Sequence, residues 1–547
     1  MTTELEKIAE DSARGSFFLI SGTALATVIM AIGTIIVGRL LGSELYGQYV
    51  LALNIPSLLG LFTDLGINLG VTKFAATLNA QGQTARIVKI IKYSLILRAV
   101  VGTALFAVNF VFADWFAAIL NRPELAFYMR IASFSILFQA LYATAASAFV
   151  GLDKTEYQAI TTNIQATAKT ALSIALVVLG LGVAGATLGY TASNLAAAAT
   201  GIPILFLILR RKHNNATRTY SFTEEIKELM RYGAPLYIAL LFVSFIPIYQ
   251  NFVLGLYTTD AYVGNYKAAV NFSTLLTTLS IPITTALLPA FAKLDSGTKD
   301  KAKTFFKLAN KYTTALIIPM TVLMILLSNE IVQIVYGPTF QYAPAYLAIH
   351  STVYLLVGIG YLTLACFYNG LGETKITLGI NATTFTILLI LSPILTMTHG
   401  VVGLLIAFLT AHIAGNIIGA YIARKRFKLE FDAKALLKIY LVAATSSAPA
   451  LLLFTAIKTY INPQLTSLMN TTSLPDTIKT APIPELFNVI ICSLAYLFTY
   501  ITLIAATKAV TEAELQTANR VTKRTPILKT IAKPIIGYLQ KILHARR

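Results

Sequence analysis

Long apolar runs recur along the whole sequence and limit what the chain can fold into. Hydrophobic residues fill 56% of the 547 positions and charged residues fill only 12%, about half of the charged fraction of a soluble domain. A helix of about 20 apolar residues crosses the hydrocarbon core of a bilayer. The sequence therefore predicts an all-α polytopic membrane protein with about fourteen transmembrane helices. The predicted spans are 16–38, 46–68, 93–113, 126–150, 159–181, 184–209, 232–257, 262–292, 307–337, 342–369, 375–397, 400–423, 437–459 and 485–508.

Two segments 217 positions apart are copies of each other. GRLLGSELYGQYVLALN begins at Gly38, and GLYTTDAYVGNYKAAVN begins at Gly255. A second pair, GLDKT from Gly151 and GLGET from Gly370, recurs at nearly the same offset. Such repeats are typical of membrane transport proteins, so we predict two six-helix lobes followed by a C-terminal helix pair. The predicted domains are an N-lobe at 1–210, a basic cytoplasmic linker at 211–231, a C-lobe at 232–424, two additional spans within 425–508 and a basic amphipathic cytoplasmic tail at 509–547.

Basic residues predict how the chain is oriented in a membrane. With the N-terminus inside, the cytoplasmic segments hold about 34 of the Lys and Arg residues and the outer loops about 4, which is the bias of the positive-inside rule. Both termini are then cytoplasmic, and we expect the protein in the cell membrane. The net charge of +19 follows from this topology, so no nucleic acid partner is predicted. Residues 72–92 and the tail have the pattern of basic amphipathic helices lying in the membrane interface, where anionic lipids would attract them. The same pattern fits segments that only flank the spans and follow the positive-inside rule.

No sequence motif indicates an enzyme or a cofactor. The chain lacks the G-x-x-x-x-G-K-[ST] signature of nucleotide hydrolysis. A G-x-G-x-x-G at Gly180, Gly182 and Gly185 falls between two spans with no strand before it, so it predicts a tight helix turn. The five histidines are scattered, and Cys366 and Cys492 both lie in apolar runs, so no metal site is predicted. We therefore expect no catalytic residues, no metal and no cofactor.

Ionisable side chains inside the predicted spans are the candidates for a functional site, because charge at membrane depth is costly. The basic candidates are Arg39, Arg98, Arg130, Lys169 and Lys267, the acidic candidates are Asp64 and Glu330, and the candidate polar neighbours are Asn54, Asn251 and Asn271. Lys169 is the deepest of them. The excess of cations predicts an anionic ligand, because fixed positive groups replace the water that an anion loses. Asp64 and Glu330 are the candidates for coupling to a proton or a sodium ion.

Structural explanations of the same residues remain open. The side chains nearer the membrane surfaces reach water by snorkelling, and Asp64 lies at a depth where it pairs with Arg98. The asparagines equally serve as hydrogen-bonding contacts between helices.

The first copy reads G-R-x-L-G-x-x-x-Y-G-x-Y from Gly38 to Tyr49 and is followed by LFTDLGI from Leu61 to Ile67. This pattern resembles the polysaccharide-type flippases, relatives of the O-antigen flippases in the multidrug/oligosaccharidyl-lipid/polysaccharide exporter superfamily. The resemblance implies a central cavity that opens alternately to the two membrane faces. It also implies a polyprenyl-diphosphate-linked oligosaccharide as cargo and other glycan-assembly proteins as partners. Arg39 is the one basic candidate that the family motif carries over.

Three alternatives remain open. The additional pair of spans is similar to the arrangement in peptidoglycan lipid II flippases. A drug or cation antiporter of the same superfamily would need buried carboxylates, and Asp64 and Glu330 are nearly the only ones. A membrane glycan polymerase or ligase would need a large outer loop, and the longest candidate, 461–485, offers only Asp476 and Glu485 as carboxylates. We therefore expect a transporter rather than an enzyme. That loop also contains a sequon at Asn470.

Overall fold

The computed structural model describes residues 2–211, 221–294, 299–471, 482–510, 537–539 and 542. Almost all of these residues are helical and none of them forms a strand, which confirms the predicted all-α fold. Residues 212–220 of the predicted linker, most of the predicted tail and part of the sequon at Asn470 lie outside the described residues.

The helices follow one another with short connections. The first nine are α1 (Thr2–Ala52), α2 (Asn54–Leu61), α3 (Ile67–Ala80), α4 (Thr84–Val111), α5 (Ala113–Ile119), α6 (Leu125–Gly151), α7 (Thr155–Leu176), α8 (Gly182–Arg211) and α9 (Phe222–Tyr257). The remaining helices are α10 (Asp260–Leu294), α11 (Lys299–Leu326), α12 (Ser328–Tyr336), α13 (Ala343–Ser351), α14 (Thr363–Gly370), α15 (Thr374–Phe427), α16 (Ala433–Ala456), α17 (Asn462–Thr471) and α18 (Ile483–Ala506). A 3-10 segment at Thr352–Ile359 and π-helical turns at Val177–Leu181 and Ile457–Ile461 complete the list.

The helices are long and apolar enough to make this a multi-pass membrane protein. Nine helical stretches of the described chain pass that test, or ten if the bent pair Ala343–Ile359 and Thr363–Gly370 counts as one span. Three of the nine, Phe18–Leu61, Thr155–Arg210 and Thr374–Phe427, have 44, 56 and 54 residues, which is about twice the length of one crossing. The predicted number of fourteen spans is not confirmed and stays a prediction.

Glycines interrupt the longest helical stretches. Gly180 and Gly182, with φ of 88° and 50°, form the predicted tight turn between α7 and α8. The two helices then pack closely, since a Cβ on Gly189 would lie 2.4 Å from the backbone nitrogen of Ser173. A break of the same kind occurs in α15 at Gly400, where φ is 57°. Positive φ values cost glycine little, which explains why glycine occupies these positions.

The duplicated Gly-Leu-x-x-Thr turns have the same backbone hydrogen bond. In the first turn the amide of Lys154 donates to the carbonyl of Phe149 at 2.8 Å. In the second turn, 219 positions later, the amide of Glu373 donates to the carbonyl of Tyr368 at 2.8 Å. The residue before each donor has a positive φ, of 57° and 74° respectively. The repeat in the sequence is therefore a repeat of backbone structure as well.

The chain divides into two compact units. Unit 1 comprises Met1–Ala268 and Leu391–Leu404, and unit 2 comprises Ala269–Ile390 and Leu405–Arg547. In unit 1, buried residues of α3, α4, α6, α8 and α9 form one apolar core. In unit 2, the core is an aromatic cluster whose members come from α10, α11, α14 and α15. The predicted domain boundaries stay predictions.

The prediction that residues 72–92 form one interfacial helix is wrong. The chain turns between α3 and α4 at Gly82, and the apolar side of this segment packs inside the core of unit 1. Two of its basic side chains contact α9: Arg86 Nε lies 2.8 Å from the Glu225 carboxylate, and Lys73 Nζ lies 3.7 Å from the centre of the Tyr232 ring. An amphipathic pattern indicates that one face of a helix is buried, and here it is buried against other helices of the protein.

The additional helices α16 and α18 belong to unit 2, and α16 closes a break in its backbone. The 3-10 segment ends near Gly358, whose amide donates to the Tyr440 hydroxyl of α16 at 3.2 Å. That hydroxyl donates in turn to the Leu355 carbonyl. The Gly358 carbonyl accepts from Asn310 Nδ2 of α11 at 2.8 Å. Backbone groups freed by a break at membrane depth thus obtain partners from neighbouring helices.

We predict that Tyr440→Phe destabilises the protein by about 1–3 kcal/mol, because it leaves a buried backbone amide without an acceptor. Thermal unfolding in detergent, followed by circular dichroism, would measure the change. Tyr460→Phe is the matched control, since Tyr460 is 71% exposed, and it should unfold at the wild-type temperature. Equal unfolding temperatures for the two variants would contradict this role of Tyr440.

Candidate functional site

A polar cavity of about 460 Å³ lies inside unit 1. Its walls come from α2, α3, α4, α6, α8 and α9 and from the turn between α2 and α3. The polar residues that line it are Ser57, Thr63, Asp64, Asn68, Thr72, Arg98, Gln139, Ser147, Tyr190, Tyr237 and Ser244. Polar groups that are scattered along the sequence are thus gathered at one place in the fold.

Arg98 and Asp64 form the charged centre of the polar cavity. Arg98 Nη1 lies 3.1 Å from Asp64 Oδ1, and Arg98 Nε and Nη2 donate to the Ala140 carbonyl at 3.3 and 3.1 Å. The carboxylate also accepts from the backbone and side-chain amides of Asn68, at 3.0 and 3.2 Å. The structure therefore contains the pair that the sequence placed at a common depth. The two charges compensate each other, so the cavity is polar with little net charge.

The turn between α2 and α3 presents Asp64 to the cavity. Gly66 has a φ of 85°, and its backbone touches α9 so closely that a Cβ would lie 2.3 Å from the Gly233 carbonyl carbon. One turn further along α9, the Tyr237 hydroxyl donates to the Leu61 carbonyl. Only glycine combines this backbone conformation with such a close approach. The position of the carboxylate therefore depends on the contact with α9.

Two lysines at membrane depth come together beside the cavity. Lys169 Nζ lies 5.4 Å from the centre of the Tyr190 ring. Tyr190 also lines the cavity. Lys267 is close enough to interact electrostatically with Lys169. Both side chains are half-buried, and within the described part of the chain neither forms an ion pair. We call these two residues the lysine pair. Neighbouring like charges disfavour each other, so an anion bound here would relieve the repulsion.

The other charged candidates lie outside the polar cavity. Arg130 pairs with Asp114, and both side chains are largely accessible, at 36% and 70% exposure. Arg39 is exposed on α1. Glu330 lies in the first turn of α12 in unit 2, where it is half-buried and accepts a hydrogen bond from Asn329 at 3.3 Å.

The three candidate asparagines occupy separate places. Asn54 begins α2 and is 3% exposed, and its Nδ2 has no hydrogen-bond partner among the described residues. Asn251 is half-buried in α9. Asn271 donates to the Tyr336 hydroxyl at 3.3 Å in unit 2. None of the three lines the polar cavity.

Sequence reasoning missed the two tyrosines of the cavity, Tyr190 and Tyr237. A tyrosine in an apolar run looks like an interfacial anchor, because its ring is apolar and its hydroxyl polar. A usable signal exists on α6, where Gln139, Ala143 and Ser147 recur at every fourth position and all line the cavity. Residues at that spacing share one face of a helix, and the polar Gln139 and Ser147 mark this face as the one toward the cavity.

Comparison with solved structures shows which fold this is. The structure of the lipid II flippase MurJ, in its inward closed conformation, aligns with a TM-score of 0.63 at 16% identity, covering 88% of this chain and 97% of the flippase. An inward-facing multidrug resistance MATE family transporter of the MOP superfamily aligns with a TM-score of 0.60 at 17% identity, covering 74% and 94%. An outward-facing structure of such a transporter gives a TM-score of 0.51 at 17% identity, covering 74% and 95%. No protein of curated function matches the sequence.

The fold is thus the polytopic helical fold of the flippase and multidrug transporter structures. The sequence model of one family, described as polysaccharide biosynthesis protein, matches residues 12–295, which is more than half of the chain. The chain belongs to this polysaccharide biosynthesis protein family. The resemblance drawn from the first copy of the repeat, Gly38 to Tyr49, is confirmed at the level of family and fold.

We predict that Asp64→Asn destabilises the protein by about 3 kcal/mol, because it leaves a buried guanidinium without its counter-charge. Arg98 is only 2% exposed, so water cannot replace the lost partner. The unfolding temperature in detergent would report the loss. Asp114→Asn breaks the exposed pair with Arg130 and is the control, with an expected cost of about 0–1 kcal/mol. Equal effects of the two substitutions would show that the cavity pair is not a structural element.

Proposed function

We propose that this protein is a flippase that moves a polyprenyl-diphosphate-linked oligosaccharide from the cytoplasmic to the outer leaflet of the cell membrane. The observation that carries the proposal is the lysine pair, two cations without ion-pair partners in the described chain, set beside a polar cavity of low net charge. Such a cargo has an anionic link and neutral sugars, and the site offers a matching environment for each.

The lysine pair suits the diphosphate. An anion that leaves water for the membrane interior loses its hydration, and fixed cations replace it. An ammonium group is a compact point charge that contacts phosphate oxygens from several directions. Arg98 is less suited to this role than the sequence suggested, because its guanidinium is already engaged by Asp64 and the Ala140 carbonyl.

The polar cavity suits sugar hydroxyls. Hydroxyl, amide and phenol groups line it, and each of these groups both donates and accepts hydrogen bonds. The volume of about 460 Å³ lies within the usual range of small-ligand pockets, about 300–1,000 Å³. The lipid tail of the cargo would stay in the bilayer while the diphosphate and sugars pass through the protein.

Transport would proceed by alternating access with both termini in the cytoplasm. Cargo must bind the inward-open and outward-open states differently for binding to shift their populations. Asp64 is the better-placed candidate for ion coupling, since protonation of its carboxylate would weaken its hold on Arg98, whereas Glu330 is distant in sequence and belongs to unit 2. The proposed role is transport without catalysis, with membrane lipids and other glycan-assembly proteins as partners.

A peptidoglycan lipid II-type cargo is the second candidate. The aligned lipid II flippase covers 88% of this chain, against 74% for the multidrug transporters, so the likeness extends over more of the chain. Lipid II is also diphosphate-linked, so the same site serves both. A drug or cation antiporter is less well supported, because the carboxylate of the cavity is already neutralised by Arg98.

Reconstitution in vesicles tests the function directly. The purified protein would be inserted into vesicles that contain a fluorescent polyprenyl-diphosphate-linked oligosaccharide, and a membrane-impermeant quencher or lectin would report which leaflet the label occupies. We expect transfer well above that of protein-free vesicles. Transfer at the background rate, with folded protein present, would overturn the proposal.

We predict that Lys169→Ala and Lys267→Ala each lower the transfer rate at least about tenfold, the equivalent of about 1.4 kcal/mol of cargo stabilisation. Lys169→Arg and Lys267→Arg retain the charge and should recover part of the rate. Lys458→Ala is the matched control, because Lys458 also lies over an aromatic ring, 5.7 Å from the centre of Phe454, but is exposed in unit 2.

The same assay separates the cargo classes. A cation antiporter would lose transport of an organic cation in Asp64→Asn and keep it in Lys169→Ala. If Lys169→Ala and Lys267→Ala both transfer the diphosphate-linked cargo at the wild-type rate, the lysine pair is not part of the binding site.

A further inference from the structure

Two histidines of unit 2 lie against one phenyl ring. The His350 ring of α13 stacks on Phe408 of α15, with ring centres 4.7 Å apart and planes 14° from parallel. The His412 ring meets the same phenylalanine at 4.4 Å and 63°. His350 is 8% exposed, and its Nδ1 is buried without a hydrogen-bond partner among the described residues. An unpaired polar atom inside a membrane-spanning segment is costly, so it marks a candidate functional group.

The histidine rings connect both ends of a broken span to α15. His350 lies two residues before the 3-10 segment Thr352–Ile359, and Tyr361 lies two residues after it. Phe408 and His412 are four residues apart on α15 and share one face of that helix. Phe408 contacts the His350 ring, and His412 contacts the Tyr361 ring at 5.6 Å. One face of α15 thus holds the chain on both sides of the break.

The break has the form of a hinge. The helical segments on its two sides are bent by 47°, and Gly360 has a φ of 98°. A 3-10 stretch within a helix has poorer hydrogen bonds than the α-helix and often marks a hinge. Side chains of neighbouring helices stabilise it in place of a continuous helical ladder. The Tyr354 hydroxyl, for example, donates to the Ser273 carbonyl of α10 at 3.1 Å.

The charge that acts on His350 comes from His412, since the two rings are close enough to interact electrostatically. Tyr354 and Tyr361 extend the row of rings, at 6.1 Å from each other. The helices α11 and α12 also pack against α13. The ionisable side chains that these two helices bury, wholly or in part, are Lys303, Lys307, Lys311, Glu330 and Tyr336.

A proton on His350 would place a positive charge in an apolar and mostly aromatic environment. Such a charge is costly unless water or an acceptor reaches it, and the attraction of the Phe408 ring for a cation is smaller than that cost. Two charged histidines would also repel each other. Protonation therefore favours an arrangement in which His350 leaves Phe408 and meets water.

We propose that His350 and His412 form a proton-binding site of unit 2, and that protonation releases the broken span 343–370 from α15. Histidine suits this role because its charge changes between about pH 5 and pH 8 when its environment is neutral. The site is separate from the polar cavity and from Asp64, which belong to unit 1. It does not depend on the proposed cargo and can be tested without any cargo.

The native Cys366 reports the state of the broken span. It lies on α14, is 8% exposed, and its Sγ is 3.6 Å from the Thr284 carbonyl oxygen. In a parent protein with Cys492→Ala, a small membrane-permeant thiol reagent would be added in detergent at values from about pH 8 to about pH 4, which covers a buried histidine. The thiolate fraction falls with pH in every variant, so the rate of the parent is divided by that of His350→Phe.

We expect this ratio of labelling rates to rise at least about tenfold toward acid, because a state populated at about 0.1–10% can gain that much. His350→Phe keeps an aromatic ring on Phe408 and removes the proton site. His412→Phe should lower the acid response in the same way, and it carries the comparison if His350→Phe does not fold. The matched control is His399→Phe, because His399 is also on α15 but is exposed, with its Nδ1 2.7 Å from the Thr398 hydroxyl. It should keep the acid response of the parent.

Nuclear magnetic resonance of isotope-labelled histidine tests the protonation itself. The chain has five histidines, and the signal that each variant loses identifies its residue. We expect the His350 and His412 signals to shift over the same pH range in which Cys366 labelling accelerates. Equal acid responses of the parent, His350→Phe and His412→Phe in folded protein would overturn the proposal. Histidine signals that stay constant down to about pH 4 would overturn it as well. Failure of cargo transfer in vesicles would bear on the proposed function alone.

Discussion

A polar group inside a bilayer must find its partner within the protein, because hydrocarbon offers none. Much of the interior follows from this constraint. The Tyr440 hydroxyl and the Asn310 amide complete the hydrogen bonds of Gly358, where a membrane-depth helix is interrupted. Arg98 is matched by Asp64 and by a backbone carbonyl of α6. Even the additional helix α16 has a structural purpose in these terms, since it supplies the tyrosine.

The lysine pair departs from the same constraint. Lys169 has an aromatic ring beside it and a second cation nearby, with no carboxylate paired to either within the described chain. Places where a folded protein leaves a general rule unmet are commonly its functional sites. The contrast with Arg98 is informative, because the two kinds of cation lie in one unit and only one is compensated. Charge at depth is therefore a weaker criterion for a ligand site than charge at depth without a partner.

Patterns along the chain predicted what depends on local sequence. Apolar runs predicted the helices, and the Gly-x-Gly motif predicted the break at Gly180. Depth alone suggested that Asp64 pairs with Arg98. Sequence could not show what covers an amphipathic face, and the apolar side of the 72–92 segment packs inside the core of unit 1. It also could not show that Arg122, in a loop with no motif, caps a helix 133 residues later. Such contacts depend on packing between segments that are remote in sequence.

The two Gly-Leu-x-x-Thr turns show how far the halves of the chain have diverged without a change of backbone. The left-handed position is Asp153 in one turn and Gly372 in the other, and the same hydrogen bond follows it in both. Aspartate adopts this conformation at some cost, whereas glycine adopts it freely. One half thus has a mildly strained residue where the other has glycine. The duplication has supplied two copies of one backbone turn whose side chains are free to differ.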